Sequence, residues 1–353
     1  MMHLSSEAHL CESGFKSKRG AAVMEYIQLG RSGLKVSRLV LGTMNFGSRI
    51  DERESHVVMD HAIEQGINFI DSANSYGGVR GSGATETIIG TWFARGGQRR
   101  EKTVLATKAY QATGDWPNES GLSALNIRRA VEASLRRLDT DYIDLFQMHH
   151  IDRATPWEEI WEAFDVLRRQ GKVLYFGSSN FAGWHIAQAQ EAARTRHFLG
   201  LVTEQSIYNL LTRWAELEVL PAARHYGLGV IPYSPLHGGV LSGVLRKQRE
   251  GTTVRSGQGI WAAALTERHA AIEEYEQLCD ELGHSPSNVA LAWLLTQDGV
   301  TGPIIGPRTV EQLDDAFAAL DIKLDQDILV KLDQLFPAPA GSGSKPAPEA
   351  YAW

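Results

Sequence analysis

From Leu39 onward the chain alternates between two hydrophobic periods. Short apolar runs read as strands at VLGTMNF (40–46), INFIDSA (67–73), TVLATKA (103–109), YIDLFQMH (142–149), VLYFGSSN (173–180), LVTEQSIY (201–208), GVIPYSPL (229–236) and GPIIGPR (302–308). Amphipathic helical stretches follow them near 54–65, 84–95, 123–138, 156–170, 183–196 and 215–226, with the last near 286–297, 309–319 and 325–335. Strands separated by helices predict a parallel sheet. Eight such units in one chain predict an α/β protein of the (β/α)8 TIM-barrel type. In the stretch 123–138, Ser123 is the expected N-cap, and Leu125, Ile127, Ala130, Val131, Ser134, Leu135 and Leu138 outline the apolar face.

Three long connections break the rhythm: 110–122, 237–268 and everything after Phe336. Loops of this length carry function or disorder, and the first two follow strands three and seven, on the rim where barrel active sites lie. Residues 1–23 read as a disordered extension, 24–337 as a single barrel domain, and 338–353 as a Pro/Gly/Ser-rich tail whose end, Tyr351 and Trp353, is available to dock on a neighbour.

Charge and cysteine count narrow the classes. A net charge of −7 over 353 residues argues against general affinity for nucleic acid or anionic membranes. Two cysteines, Cys11 and Cys279, make no disulfide framework and point to a reducing cytoplasm. No apolar run approaches the roughly 18 residues of a membrane helix, and Lys16, Lys18 and Arg19 are not followed by the apolar stretch of a signal peptide.

Asp71, Tyr76, Lys108 and His149 stand at or just beyond the carboxyl ends of strands two, three and four. In a barrel those ends share one rim, so the four converge. Singly, Asp71 reads as a turn cap, Lys108 as a solvated strand end and Tyr76 as packing in the turn GGVRGSG; the ordered set is what carries weight. Together they suit proton transfer to a carbonyl oxygen. A ketone that receives hydride at carbon needs a proton at oxygen, worth about 10²–10⁴-fold in rate. One ammonium ~4 Å from a phenol supplies about 4 kcal/mol toward phenolate at an effective dielectric of 20. Lys108 is therefore expected to draw the Tyr76 pKa down, Asp71 to keep Lys108 charged, and His149 to orient the carbonyl. His149 and His150 are adjacent strand residues facing opposite ways, so no metal site is expected there.

The segments LGRSGLKVSRLVLGTMNFG (29–47), DSANSY (71–76), TK (107–108), DLFQMHHID (144–152), GSSNF (177–181), EQSIYN (204–209), YSPL (233–236) and IIGPRTVEQLDD (304–315) resemble the aldo-keto reductases, over residues 25–336. The resemblance implies a (β/α)8 barrel with an N-terminal β-hairpin cap and long loops at the C-terminal rim. It also implies reduction of aldehydes or ketones with NAD(P)H, mostly NADPH. By that likeness Tyr76 is the proton donor, Asp71 and Lys108 tune it, and His149 positions the carbonyl.

The likeness extends to the cofactor. Ser179, Asn180 and Gln205 match the set that holds the nicotinamide carboxamide; Tyr233, with Ser234, Pro235 and Leu236, matches the stacking platform; Thr43 and Met44 pass beneath the ribose. Gly306 to Thr309 leave strand eight and enter a helix, a usual phosphate site in barrels. Arg308 there is suited to clamp a 2′-phosphate, which favours NADPH, and Gln312 and Asp315 lie within reach of the adenosine. Ala316 stands where the family often has Asn, and GSSNF where it has GVSNF. No GxGxxG follows a strand, which disfavours a Rossmann site.

The pocket is expected to involve Phe46, Tyr110, Trp116 and residues 237–262 with Trp261, favouring a bulky carbonyl substrate. Segments such as WPNESGLS are similar to actinobacterial reductases of nucleotide-linked deoxysugars or polyketide side chains; a general carbonyl reductase is the broader reading. The rival from another class is a cofactor-binding regulatory subunit, since potassium-channel β subunits share the fold. A hydrolytic barrel would need metal ligands at strand one, where LGTMNF has none. A homo-oligomer is compatible with the chain, and no sequence feature sets its size.

Overall fold

Strand pairing realises the barrel expected from the apolar runs. In the computed structural model, which describes residues 24–251 and 260–339, β1 (Tyr26–Gln28) and β2 (Lys35–Ser37) form an antiparallel hairpin. Eight parallel strands follow: β3 (Val40–Gly42), β4 (Phe69–Asp71), β5 (Val104–Ala109), β6 (Ile143–Met148), β7 (Val173–Ser179), β8 (Leu201–Gln205), β9 (Gly229–Val230) and β10 (Ile304–Ile305). Their order is β10-β3-β4-β5-β6-β7-β8-β9. The Thr301 N–H donates to the Val230 carbonyl, and the Ile304 N–H to the Pro232 carbonyl, each at 2.8 Å, so the two outer strands meet and the barrel closes. The extension 1–23, the tail from 340 with Tyr351 and Trp353, and the Trp261 side chain lie outside the described residues.

Period two sorts the strand residues into two cores. Val40, Phe69, Val104, Ala106, Leu145, Val202, Ile231 and Ile304 fill the barrel, and Leu29 and Val36 of the hairpin join them. Leu41, Ile70, Leu105, Phe146 and Leu201 face the helices instead. Parity then fixes the site. Two residues on from inward Phe69 comes Asp71; from Ala106, Lys108; from Leu145, Gln147 and then His149.

Helices α1 (Glu52–Glu64), α2 (Ala84–Ala94), α3 (Ala124–Leu138), α4 (Trp157–Arg169) and α5 (Gly183–Thr195) follow the expected rhythm. Ser123 caps α3 by accepting the Asn126 N–H at 3.3 Å. Leu125, however, is exposed and Asn126 buried, because Leu125 sits two residues from Ile127, nearly opposite it on a helix. The stretch expected at 215–226 divides into a 3-10 turn, Trp214–Glu216, and α6 (Val219–Tyr226). Pro221, which has no N–H to donate, fits only within a first turn, so α6 starts late.

The connection after β9 is the larger correction. Instead of a loop over 237–268 it carries α7 (Val244–Arg249) and α8 (Ile260–Glu267), followed by the unforeseen α9 (His269–Leu282). Ile272, Tyr275 and Cys279 bury one face of α9 at helical spacing. α10 (Pro286–Thr296), α11 (Val310–Phe317) and α12 (Gln326–Leu335) are the last of the described helices. No helix among the described residues is long and apolar enough to cross a membrane.

Candidate active site

Asp71 ends β4, Lys108 is the next-to-last residue of β5, His149 follows β6, and Tyr76 sits in the loop after β4. Lys108 is completely buried. Its Nζ donates to Asp71 Oδ2 at 2.6 Å, to the Ser72 carbonyl at 2.7 Å and to Tyr76 Oη at 3.3 Å. The Tyr76 and His149 rings meet edge to face with centroids 5.8 Å apart. His150 turns elsewhere and packs on Tyr110 at 5.3 Å. Gly77 makes the bend after Tyr76, at φ +117°, where a Cβ would fall 2.6 Å from that of Ala84.

The electrostatics correct one expectation. Burial alone would push the Lys108 ammonium down, but Asp71 and Tyr76 outweigh it and hold its pKa above the ordinary value. The Tyr76 phenol, expected to fall toward neutrality, stands above an ordinary tyrosine. Burial pushes it up by more than Lys108 draws it down, and Asp71 adds to the rise. Phenolate is costly to desolvate, and the Lys108 charge does not offset that cost. His149 is neutral: burial, then the Lys108 charge, lowers it to about 3. Its buried Nδ1 has no hydrogen-bond partner among the described residues.

Beside this cluster lies a second polar wall. Asn180 leaves β7 with φ +60°. Its Nδ2 donates to Ser179 Oγ at 3.0 Å and to the His149 carbonyl at 3.1 Å, while its Oδ1 accepts from Tyr233 Oη at 2.8 Å. Ser179 Oγ donates to the Gln205 carbonyl at 2.9 Å. Gln205 Nε2 points inward and donates to Asp71 Oδ1 at 2.9 Å. Thr43 is buried and donates through its backbone N–H and Oγ1 to the Asp71 carbonyl at 3.0 and 2.9 Å, whereas Met44 is exposed. Ser234 lies at φ +52° with its carbonyl accepting from Asn209 Nδ2; Pro235 is buried and Leu236 half-buried.

At the other end, Gly306 and Arg308 are exposed between β10 and α11. The Gly306 carbonyl accepts from Asn45 Nδ2 at 2.9 Å. Gln312 is already used as a local cap, its Oε1 accepting the Arg308 N–H at 2.9 Å. Asp315 accepts from Asn288 Nδ2 at 3.3 Å and lines a cavity of about 520 Å³ with Ser242, Arg246 and Lys247. Of the expected pocket residues, Tyr110 is half-buried and Trp116 exposed, but Phe46 belongs to the core behind the rim.

Comparison with known proteins matches residues 38–336 to the Aldo/keto reductase family. The chain belongs to this family. It is 56% identical over 336 residues to the "Uncharacterized oxidoreductase YrpG" of Bacillus subtilis (strain 168), covering 94% of this chain and 100% of that one. It is 33% identical to the "Versiconal hemiacetal acetate reductase" of Aspergillus parasiticus, over 88% of this chain and 96% of the relative. At 32% identity it also aligns with the "Probable voltage-gated potassium channel subunit beta" of Arabidopsis thaliana, over 93% of this chain and 100% of the relative.

Two parts of this aldo/keto reductase escaped the sequence reading. Gln147 joins Gln205 on Asp71, its Nε2 3.0 Å from Oδ1. Its inward parity between Leu145 and His149 was a usable signal. Arg246 and Lys247 line the cavity beside Asp315, and only the folding of the long connection into α7 brings them there.

Proposed function

We propose that this protein reduces the carbonyl group of an aldehyde or ketone to an alcohol with NADPH, and that Tyr76 donates the proton. The observation that carries the reading is the buried chain from Asp71 to Lys108 to Tyr76, 2.6 and 3.3 Å per link, opening at the barrel's carboxyl rim. The residues also fit a dinucleotide. Ser179, Asn180, Gln205 and Tyr233 form a polar wall with one aromatic face, and the exposed Arg308 offers positive charge at the opposite end, where α11 begins. That end suits a 2′-phosphate.

When bound, NADPH supplies hydride to the carbonyl carbon. The carbonyl oxygen then takes the Tyr76 proton, and the phenolate left behind faces the Lys108 ammonium. A phenol with a raised pKa is fully protonated at neutral pH, as a proton donor must be. Lys108 favours the charge that develops as the proton leaves, from a position that is itself fully buried. Neutral His149, edge-on to Tyr76, is placed to hold the carbonyl oxygen without competing as an acid. Tyr110 and Trp116 at the rim favour a bulky carbonyl compound.

The test is NADPH oxidation by wild type and Tyr76→Phe across aromatic aldehydes, α-diketones and keto-sugars. Turnover lost in the variant with NADPH binding intact supports the reading; equal turnover in both overturns it. The match to a channel β subunit favours one alternative, a regulatory protein that binds the cofactor with little turnover. Tight NADPH binding without oxidation on any substrate would favour it.

A further inference from the structure

Glu204, in β8, is fully buried, and no cation pairs with it among the described residues. Its Oε1 accepts the Phe181 N–H at 3.1 Å and the Ser206 hydroxyl at 2.7 Å, and its Oε2 accepts the Ser178 hydroxyl. The Asn180 N–H, in the same turn, donates to the Gln205 carbonyl at 3.0 Å. These donors bracket the turn that leaves β7, the turn that contains Ser179 and left-handed Asn180. We propose that Glu204 is the positioning residue for the nicotinamide end of the site: its carboxylate fixes the Ser178–Phe181 turn, and protonating it loosens that turn and weakens cofactor binding. The proposal rests on the cofactor reading above.

The physical case is a count of donors. Every group around the carboxyl can donate, which suits an acceptor-only carboxylate. Hydroxyls can rotate to accept a new proton; the Phe181 N–H is fixed by the backbone and cannot. A proton on Oε1 would compete with the Phe181 N–H, and one on Oε2, which Ser178 can accept by turning its own proton to the Thr203 carbonyl, would leave the Phe181 link without the carboxylate charge that strengthens it. Burial without a counter-ion brings this protonation within reach, pushing the carboxyl up to about 7 even against its donors. The other titratable groups on the elements packed around it are Tyr175 in β7, His185, Glu191 and Arg194 in α5, and Tyr233 after β9. Glu191 and Arg194 are exposed, and His185 is kept neutral by burial. Tyr233 feels Glu204 directly, since the carboxylate helps to raise its phenol above the ordinary value.

The experiment measures NADPH dissociation constants from tryptophan quenching between pH 6 and 9 for wild type, Glu204→Gln and Ser206→Ala, with thermal melts as a folding control. Dividing each variant's constant by that of wild type at the same pH removes the titration of the cofactor's own phosphate. The expected result is affinity about tenfold weaker in Glu204→Gln at pH 9, the size of one lost charge-assisted bond. That ratio should approach one at pH 6, where wild type is itself protonated. Ser206→Ala, which removes one donor, should move the midpoint of the profile upward while matching wild type at pH 9. It keeps the test open if Glu204→Gln does not fold. Ratios independent of pH in both variants would overturn the role of Glu204 and leave the cofactor reading standing. A wild type whose emission NADPH never quenches would overturn that reading, and this proposal with it.

Discussion

Lys108 Nζ lies 2.6 Å from Asp71 Oδ2, and solvent reaches almost nothing of either side chain. A buried pair of this kind is costly to break from one side, because the partner is left as an unpaired charge. Lys108→Met should lose about 3–5 kcal/mol of stability and a hundredfold or more in kcat/KM, in the range of about 10²–10⁴ for general acid catalysis. The double variant Lys108→Met/Asp71→Asn should recover part of the stability and none of the activity. Urea unfolding and steady-state kinetics on wild type and the two variants separate the two effects; activity returning with stability would show the pair to be structural only.

On the proposed mechanism, the raised Tyr76 phenol would set the alkaline limb of the pH profile. Reduction by that mechanism needs the protonated phenol, so kcat/KM for the carbonyl substrate at saturating NADPH should hold steady through pH 7–9 and fall only above the ordinary tyrosine value of about 10. A decline centred near pH 7 or 8 would mean that Lys108 outweighs burial after all.

Gln147 shares Asp71 Oδ1 with Gln205. Gln147→Leu leaves that oxygen one donor and should cost about 1–3 kcal/mol, the penalty for a weakened buried polar group. Activity should fall with it, since Asp71 is what holds Lys108 in place. Unchanged stability and kinetics would reduce Gln147 to barrel filler.

His149 gives a signed dependence of stability on acid. Its folded pKa of about 3 lies below the unfolded value of 6.5, so its contribution is complete above pH 6.5 and is lost as pH falls toward 3. Between pH 6.5 and 5 that amounts to about 2 kcal/mol at 1.4 kcal/mol per unit. Glu204 works in the opposite sense: its raised folded pKa favours the folded state most below pH 4.5, and the gain is lost as pH rises through 7. His149→Phe should therefore flatten acid destabilisation, and Glu204→Gln should steepen it. Unfolding free energies at pH 7.5 and 5 measure both slopes; parallel lines for wild type and His149→Phe would reject a neutral buried imidazole.

Gly77→Ala tests the bend behind Tyr76. At φ +117°, with Ala84 in the way, the substitution should cost about 1–3 kcal/mol of backbone strain and lower kcat more than it raises KM for NADPH. A variant as active as wild type would show that the bend does not place the phenol.

Hydrophobic patterning along the chain was enough to specify the barrel and the identity of its rim. Eight apolar runs spaced by helices left little other topology, and period two carried Asp71, Lys108 and His149 inward with the residues beneath them. Local patterns were legible where one element decides them, as at Ser123. They failed where a neighbour decides, as at Phe46, which packs behind the rim, and along the connection after β9, where α9 buries a face that has meaning only against the barrel. Tertiary structure alone decided the charges. How far burial outweighs Lys108 at Tyr76, and that Glu204 lies enclosed without a cation among the described residues, depend on what surrounds each group in space. Desolvation is a property of the packed environment, and no residue spacing along a chain records it.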